Sequence, residues 1–499
     1  MLKKLLPFLI IYIFVIVLYC PALSTFFSHD DFFHFKVSLT DGSFGQFIKF
    51  FGFYPFEQRQ IAFYRPLFRE VLYNSFYYLF GLNQIPFRLL SFSIHFINIY
   101  LVFSFMQKLL NKKVISYFTS FFFGVTAANV APFYYLAGGI QTQGATMLIL
   151  LTLISFIKYL KSKRSKYFSF TLITFILALA SHEQSAIIPI LLSGLVFLKL
   201  KTNRLKKIIK LWPLFLTLAI YVYLNISVIG YSSTETQYQM IFNFKTTIQT
   251  LAWYGVCALG LPETFVDYLL PGFGLNPNLM RYWGNYYRII FPMFFLAILV
   301  ISILTLNLFL KSKKVFVNKN FLFFLIWFPL GILPVLFLPQ HKSSHYLYPS
   351  LPAFWGTLGY IIFTGYQKLT NSHPNFSRFF LVSLLTSLAL LSITSAILGR
   401  TTYWAATRGK IAGRLVQLVK SKYPSLPQGS AIYFTNDPNY PFISEDWGGT
   451  SKQAYFALNG EDALQLLYND SSLRVYYEDL GGVPVNFPEE KIYTLIAQI

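Results

Sequence analysis

The sequence predicts an all-α polytopic membrane protein of about 11 transmembrane helices, with short helices lying along the surface in its first external loop and a small external α/β domain at its end. Three observations predict this. Runs of apolar residues near the length needed to span a bilayer recur through the first four fifths of the chain, and of its 499 residues 55% are hydrophobic but only 12% charged. Lys and Arg fall in short clusters between those runs. The acids are unevenly shared: 10 of the 19 Asp and Glu follow residue 399, and the preceding residues hold only nine.

The elements follow in order. Lys3 and Lys4 precede the first span, Leu5 to Leu23, which is long enough to be an uncleaved anchor rather than a signal peptide. A loop of residues 24–85 comes next. In it Phe44, Phe47, Ile48 and Phe51 recur at helical spacing, and a second surface helix is expected from Leu67 to Phe80. Span two is Pro86 to Leu110, span three Val114 to Tyr135 with a polar end at Asn129, and span four Ile140 to Tyr159. Spans five (Tyr167 to Ala180) and six (Ser185 to Leu198) are joined by a tight turn, Ser181-His182-Glu183-Gln184. Span seven is Leu211 to Ile229. The aromatic loop Tyr231 to Tyr287 contains an apolar middle, Thr246 to Leu261, expected to be re-entrant or interfacial rather than to cross the membrane. Spans eight to eleven are Ile289 to Leu310, Phe321 to Leu338, Ser350 to Tyr366 and Phe379 to Leu398.

This arrangement puts 22 Lys and Arg of the first 399 residues on one side and 10 on the other. The positive-inside tendency then places the N-terminus in the cytoplasm and the C-terminal domain outside the cell membrane. All nine acids (Asp30, Asp31, Asp41, Glu57, Glu70, Glu183, Glu235, Glu263 and Asp267) fall on the external side. Longer outer loops would produce part of the same asymmetry. The net charge of +22 is therefore a topological signature, and no nucleic-acid partner is expected. The two cysteines, Cys20 and Cys257, give no disulfide framework.

The domains divide at 1–398 and 399–499. In the second, Ile411, Leu415, Leu418 and Val419 mark an amphipathic helix, Ala431 to Phe434 and Val475 to Tyr477 mark short strands, and Lys452 to Tyr468 is a helical run.

Candidate chemistry gathers at the acidic rim. A carboxylate at a membrane surface is desolvated, which raises its pKa toward the working pH and suits a general base. Asp30-Asp31 fits that role, and it equally fits an N-cap pair opening a surface helix. Glu183, in its short turn, is either a second functional carboxylate or a solvated hairpin tip. Arg65, Arg69 and Arg88, with His341, Lys342 and His345, offer the positive charge that a phosphate leaving group needs; ordinary headgroup contact explains any single one of them. His95 and Asn98, inside span two, are expected to bond a neighbouring helix. No phosphate-binding glycine loop, dinucleotide fingerprint or zinc spacing is present in the sequence. The cytoplasmic side lacks carboxylates to hold a metal-bound nucleotide sugar, so a lipid phosphate donor in the outer leaflet is expected instead.

These pieces resemble the C-type glycosyltransferases, and within them the protein O-mannosyltransferase and aminoarabinose transferase type. The matching residues are Asp30-Asp31 directly after the first span, Tyr64-Arg65-Pro66, Ser181-His182-Glu183-Gln184 and His345-Tyr346 before span ten. The likeness covers residues 1–398 in topology and these short motifs in sequence. It implies transfer of a sugar from a polyprenyl-phosphate donor, with inversion, to a lipid, protein or glycan acceptor. It implies Asp30 or Asp31 as base, Glu183 as a supporting or acceptor-side carboxylate, and Arg65, Lys342 and His345, with Arg69, as phosphate contacts. His29, Tyr64, His182 and Tyr346 stand beside these as acceptor-side or cavity residues. No cofactor is required, although Asp30, Asp31 and Glu183 together would suit a divalent metal. The sequence departs from the mannosyltransferases in having Asp-Asp for Asp-Glu, His182-Glu183 for Lys-Glu, and no central β-trefoil. Two other readings share the location: a lipid-glycan transporter or flippase, and a surface polysaccharide polymerase or ligase. Transport would predict midplane charges and repeat symmetry, which the sequence does not show.

Overall fold

The computed structural model describes residues 2–230, 238–270, 274–370, 374–440 and 448–499. Glu235 and the side chain of Asp267 lie outside the described residues. The chain is mostly helical, and its helices run back and forth through one bundle. Seven of them are long and apolar enough to cross a membrane: Leu5–Ser24, Gln84–Leu110, Leu136–Ser162, Trp212–Ile229, Pro277–Lys311, Lys319–Leu336 and Pro374–Thr402. Expected span three is a bent pair, Lys113–Val125 and Ala127–Tyr134, with 44° between its halves. Spans five and six are short helices, Ser165–Leu179 and Ile188–Lys199, and span ten is Leu351–Thr370.

The bend in span three has a local cause. Thr126 leaves the helical path (φ −57°, ψ 139°), and freed backbone groups in an apolar setting need partners. Asn129 supplies them: its side-chain amide donates to the carbonyls of Phe123 (2.7 Å) and Gly124 (3.0 Å). Tyr19 donates to Thr126 O at 2.6 Å. His95 and Asn98 do bond neighbouring helices, His95 through Gly124 O (3.1 Å) and Asn98 through Gln143 O (2.9 Å), and His95 also meets Tyr348 Oη (2.7 Å) in the turn before the helix Leu351–Thr370.

Helix alternation sends the loops 20–83, 126–135, 180–187, 238–276 and 337–350 to one end of the bundle. The lysine-rich turns near residues 111–113, 162–166, 199–211 and 312–319 close the other. At the acidic end the first loop forms surface helices, Asp30–Ser38, Phe44–Lys49 and Leu72–Phe80, the last entered through a π turn at Leu67–Val71. The expected loop Tyr231 to Tyr287 is shorter than it reads. Phe244–Leu259 is helical, and the following helix begins at Pro277, because Asn276 caps it by accepting from Asn278 N (3.0 Å).

The last helix of the bundle ends at Thr402, and after Tyr403 a new helix, Trp404–Lys422, leads into the C-terminal domain. There a three-stranded parallel sheet places Ala431–Thr435 between Arg474–Tyr477 and Ile492–Ile496. The single helical run expected over 452–468 is two helices, Thr450–Leu458 and Asp462–Tyr468. Asn459 and Gly460 adopt positive φ (56° and 62°) and stop the first, a common helix C-terminal device. The domain does not stand apart. Ile411, Leu415 and Val419 share one apolar core with Phe27, Phe32, Phe35 and Tyr73 of the first loop. Lys36 pairs with Asp462 at 3.4 Å, and Tyr77 donates to Leu466 O at 3.1 Å.

Candidate active site at the acidic end of the bundle

The two aspartates that open the helix Asp30–Ser38 have opposite surroundings. Asp31 is completely buried. Its Oδ1 accepts from Ala137 N (2.7 Å) and Tyr73 Oη (3.0 Å), and its Oδ2 accepts from Ser28 N (3.0 Å). Burial lifts its carboxyl to about 6, against the opposing charge of Arg88 and these hydrogen bonds. Arg88, equally buried, donates to the carbonyls of Thr25, Phe26 and Phe133. Together the two side chains tie residues 25–31 to the start of the helix Leu136–Ser162.

Asp30, by contrast, keeps 39% of its side chain exposed. Tyr135 donates its phenol to Oδ2, and His29 Nε2 lies 3.6 Å from Oδ1. His29 itself holds φ at 47°, a left-handed conformation costly for a side-chain-bearing residue. The contacts that hold it there come from the C-terminal domain: its N–H donates to Ala457 O (3.1 Å), and its ring meets the edges of Trp404 and Phe456. Burial lowers the His29 pKa, with Asp30 opposing.

A second cluster lies across the rim. Arg65 grips Glu183 through Nε (2.8 Å) and Nη2 (2.6 Å), and its Nη1 donates to Gln141 Oε1 (2.8 Å). Burial alone would raise the Glu183 carboxyl, but Arg65 and His182 outweigh it and hold it down at about 2. His182 is fully buried and is pushed down to about 3 by burial and by Arg65. Gln184 fixes the turn by donating to Gly331 O (2.6 Å) and Tyr346 O (2.8 Å).

His345 stands between the clusters. Its ring packs on Tyr135 (5.2 Å between centroids) and on Tyr346 (3.9 Å), and its Nδ1 lies 2.9 Å from Ser343 Oγ. Burial and the neighbouring His182, His341 and Arg65 keep it well below the usual histidine range. Gly138 makes room for it: a β-carbon there would come within 2.9 Å of the imidazole.

The structure thus brings Asp30, His29, His345, His182, Tyr346, Arg65 and Glu183 to one rim. It separates the others by function. Arg69 is spent on Glu70 (two contacts of 3.0 Å) and on Phe63 O (2.7 Å), so it is not a free phosphate contact. Tyr64 stacks on Phe53 at 4.0 Å and donates to Phe51 O at 3.1 Å, which makes it part of the first-loop packing. Lys342 lies over Trp253 at 5.8 Å and is half-buried. The divalent-metal arrangement of Asp30, Asp31 and Glu183 does not form. Asp31 turns into the protein and Glu183 is held by Arg65, and among the described residues no group of three His, Cys, Asp or Glu side chains is placed to hold an ion. Three rim residues escaped the sequence reading: Tyr135, Trp404 and Arg408. Tyr135 precedes the Gly138-Gly139 break between two spans, and Trp404 and Arg408 sit four apart at a helix start. Those were the available signals.

No protein-family model matches the chain, and no curated protein sequence matches it. Among solved structures it is similar to the archaeal oligosaccharyltransferase AglB from Archaeoglobus fulgidus, in complex with an inhibitory peptide and a dolichol-phosphate. The TM-score is 0.46 and the identity 12%, over 87% of this chain and 62% of that one. It is also similar to the Archaeoglobus fulgidus oligosaccharyltransferase tethered by a disulfide bond to an acceptor peptide containing the NVT sequon. There the TM-score is 0.48 and the identity 11%, over 95% of this chain and 63% of that one. The chain therefore matches less than two thirds of the length of either structure.

Proposed function

We propose that the chain is a membrane glycosyltransferase. It moves a sugar from a polyprenyl-phosphate donor to an acceptor hydroxyl, at the acidic end of the bundle, with Asp30 as general base. One observation carries this reading: of the adjacent acids, Asp31 has both oxygens filled from within the protein, whereas Asp30 is open to the rim. A base must reach the proton it takes. Asp30 is oriented by Tyr135 and stands beside His29, and the histidine His345 packs against the same tyrosine.

In the reaction the acceptor oxygen attacks the anomeric carbon. Its proton goes to Asp30, and the electron pair of the breaking carbon–oxygen bond leaves with the lipid phosphate. A single displacement of this kind inverts the anomeric centre. Glu183, already charged and gripped by Arg65, positions the cationic wall rather than exchanging protons. The positive-inside tendency sets the lysine-rich end in the cytoplasm and the site outside it.

The test uses the full chain in proteoliposomes, supplied with a panel of polyprenyl-phosphate sugars and read by mass spectrometry of lipids and acceptors. Transfer by the parent chain and its loss in Asp30→Asn, with a folded protein by size exclusion, is the expected result. Full transfer by Asp30→Asn would remove Asp30 from the chemistry.

A further inference from the structure

We propose that Arg408, carried by the helix that starts the C-terminal domain, is the contact for the donor's phosphate, so that this domain completes the active site. The inference rests on the transferase reading above. Arg408 is clamped between two rings, its guanidinium carbon 5.0 Å from the centroid of Trp404 and 5.1 Å from that of Phe456. Those rings also flank His29, and Trp404 lies 4.9 Å from Tyr135, which bonds Asp30. The guanidinium therefore sits at the mouth that Asp30 faces.

Its electrostatic position is unlike that of the other rim arginines. Arg65 is neutralised by Glu183, Arg69 by Glu70, and Arg88 is spent on three carbonyls. Among the described residues Arg408 has no hydrogen-bond acceptor, and no carboxylate oxygen lies within 4.0 Å of its nitrogens. Asp30 acts on it only from beyond ion-pair distance, and a half-buried cation held by two aromatic faces, with its donors unused, is costly unless an anion arrives to accept from them. Planar, forked donors suit a phosphate's oxygens, and the developing charge of a phosphate leaving group lies where such donors are worth most.

The placement is built into the packing. Gly409 and Gly413 let the helix lie directly on residues 25–26: a β-carbon at 409 would come within 2.7 Å of Phe26 O, and one at 413 within 3.1 Å of Phe26 Cβ. The helix bearing Arg408 and the segment leading to Asp30 are thereby locked together.

The test measures binding of farnesyl phosphate, farnesol and inorganic phosphate to the full chain in detergent. The parent chain should bind farnesyl phosphate more tightly than farnesol, with inorganic phosphate competing only weakly. Arg408→Gln should weaken farnesyl phosphate about tenfold or more and leave farnesol unchanged, as expected for loss of charge-assisted hydrogen bonds. Phenylglyoxal labelling of Arg408 in the unmutated chain, read by peptide mass spectrometry, provides a measurement free of folding effects. Farnesyl phosphate should protect Arg408 several-fold, and farnesol should not. Equal affinity in Arg408→Gln, a parallel loss for farnesol, or no protection overturns the assignment and leaves the Asp30 reading standing. A parent chain that does not distinguish farnesyl phosphate from farnesol overturns the lipid-phosphate donor itself.

Discussion

Two walls of the same rim carry charge in opposite ways. On one, Arg65 and Glu183 meet in a bidentate pair, Nη1 of the same guanidinium donates to Gln141, and its carbon lies 4.8 Å from the centroid of the Phe63 ring. On the other, Asp30 and Arg408 face the opening without pairing within ion-pair distance. On the transferase reading proposed above, the closed wall is architecture and the open wall is chemistry. Charge alone does not distinguish them; the filling of their hydrogen-bonding capacity does. The same contrast is repeated within one dipeptide, where Asp31 is closed and Asp30 open.

The largest effect that would sharpen this contrast belongs to the closed wall. Arg65→Met leaves Glu183 buried without its partner, and breaking a buried pair from one side costs about 3–5 kcal/mol. Thermal unfolding in detergent should show it, and adding Glu183→Leu should restore most of the loss. If the single variant unfolds like the parent, the pair is not architecture and the comparison fails. Next comes the open wall. Asp30→Asn should reduce transfer by about 10²-fold or more, the scale of a positioned base, with little change in unfolding. Asp31→Asn reverses the pattern. Its amide nitrogen or oxygen must face Ser28 N–H on one side and Ala137 N–H and Tyr73 Oη on the other, so one donor meets a donor. We expect a stability loss of about 1–3 kcal/mol and, per folded molecule, a smaller loss of transfer than in Asp30→Asn. Similar activity losses in the two variants would erase the distinction between them.

How far the sequence carries depends on what each feature needs. Spans and basic clusters are set by the bilayer, a uniform solvent, so apolar length and charge were enough to locate the helices. The bend at Thr126 is legible only in part: Asn129, three residues on, marks a polar end in the sequence, but Tyr19 reaches the bend from the first span. Asp30-Asp31 and Glu183 stood out because acids are scarce in this chain. Which of them is open could not be read, since Asp31 is filled by Ala137 and Tyr73, more than forty residues away in sequence. Arg65 reads as a free cation for the same reason: Glu183 is 118 residues away, and only the fold brings it there; Arg69 is different, since its partner Glu70 is the next residue in the chain. Beyond its spacing from Trp404, Arg408 gives no signal in the sequence, because its place depends on a core that residues beyond 398 share with the first loop.

The smallest effect separates the closed acids from each other by the sign of their pH dependence. Asp31 is lifted to about 6, above the ordinary range near 4, so the folded state holds its proton more tightly than the unfolded one. Its contribution to stability is full below about pH 4 and is lost as pH rises through about 6. Glu183, held at about 2, runs the other way: its contribution is present above about pH 4.3 and is lost as pH falls toward 2. Buried histidines such as His29, His182 and His345, held below their usual range, lower stability on acidification from pH 7 to 5 in every variant. The reading for Asp31 is therefore a difference, and the parent chain should lose less stability between pH 7 and pH 5 than Asp31→Asn does. Between pH 4.3 and 3 the Asp31→Asn variant should lose stability with acidification, and the Arg65→Met, Glu183→Leu, Asp31→Asn triple variant should lose less. A parent chain and an Asp31→Asn variant with the same slope between pH 7 and 5 would mean that burial does not lift the Asp31 carboxyl, and the account of a closed aspartate beside an open one would lose its electrostatic half.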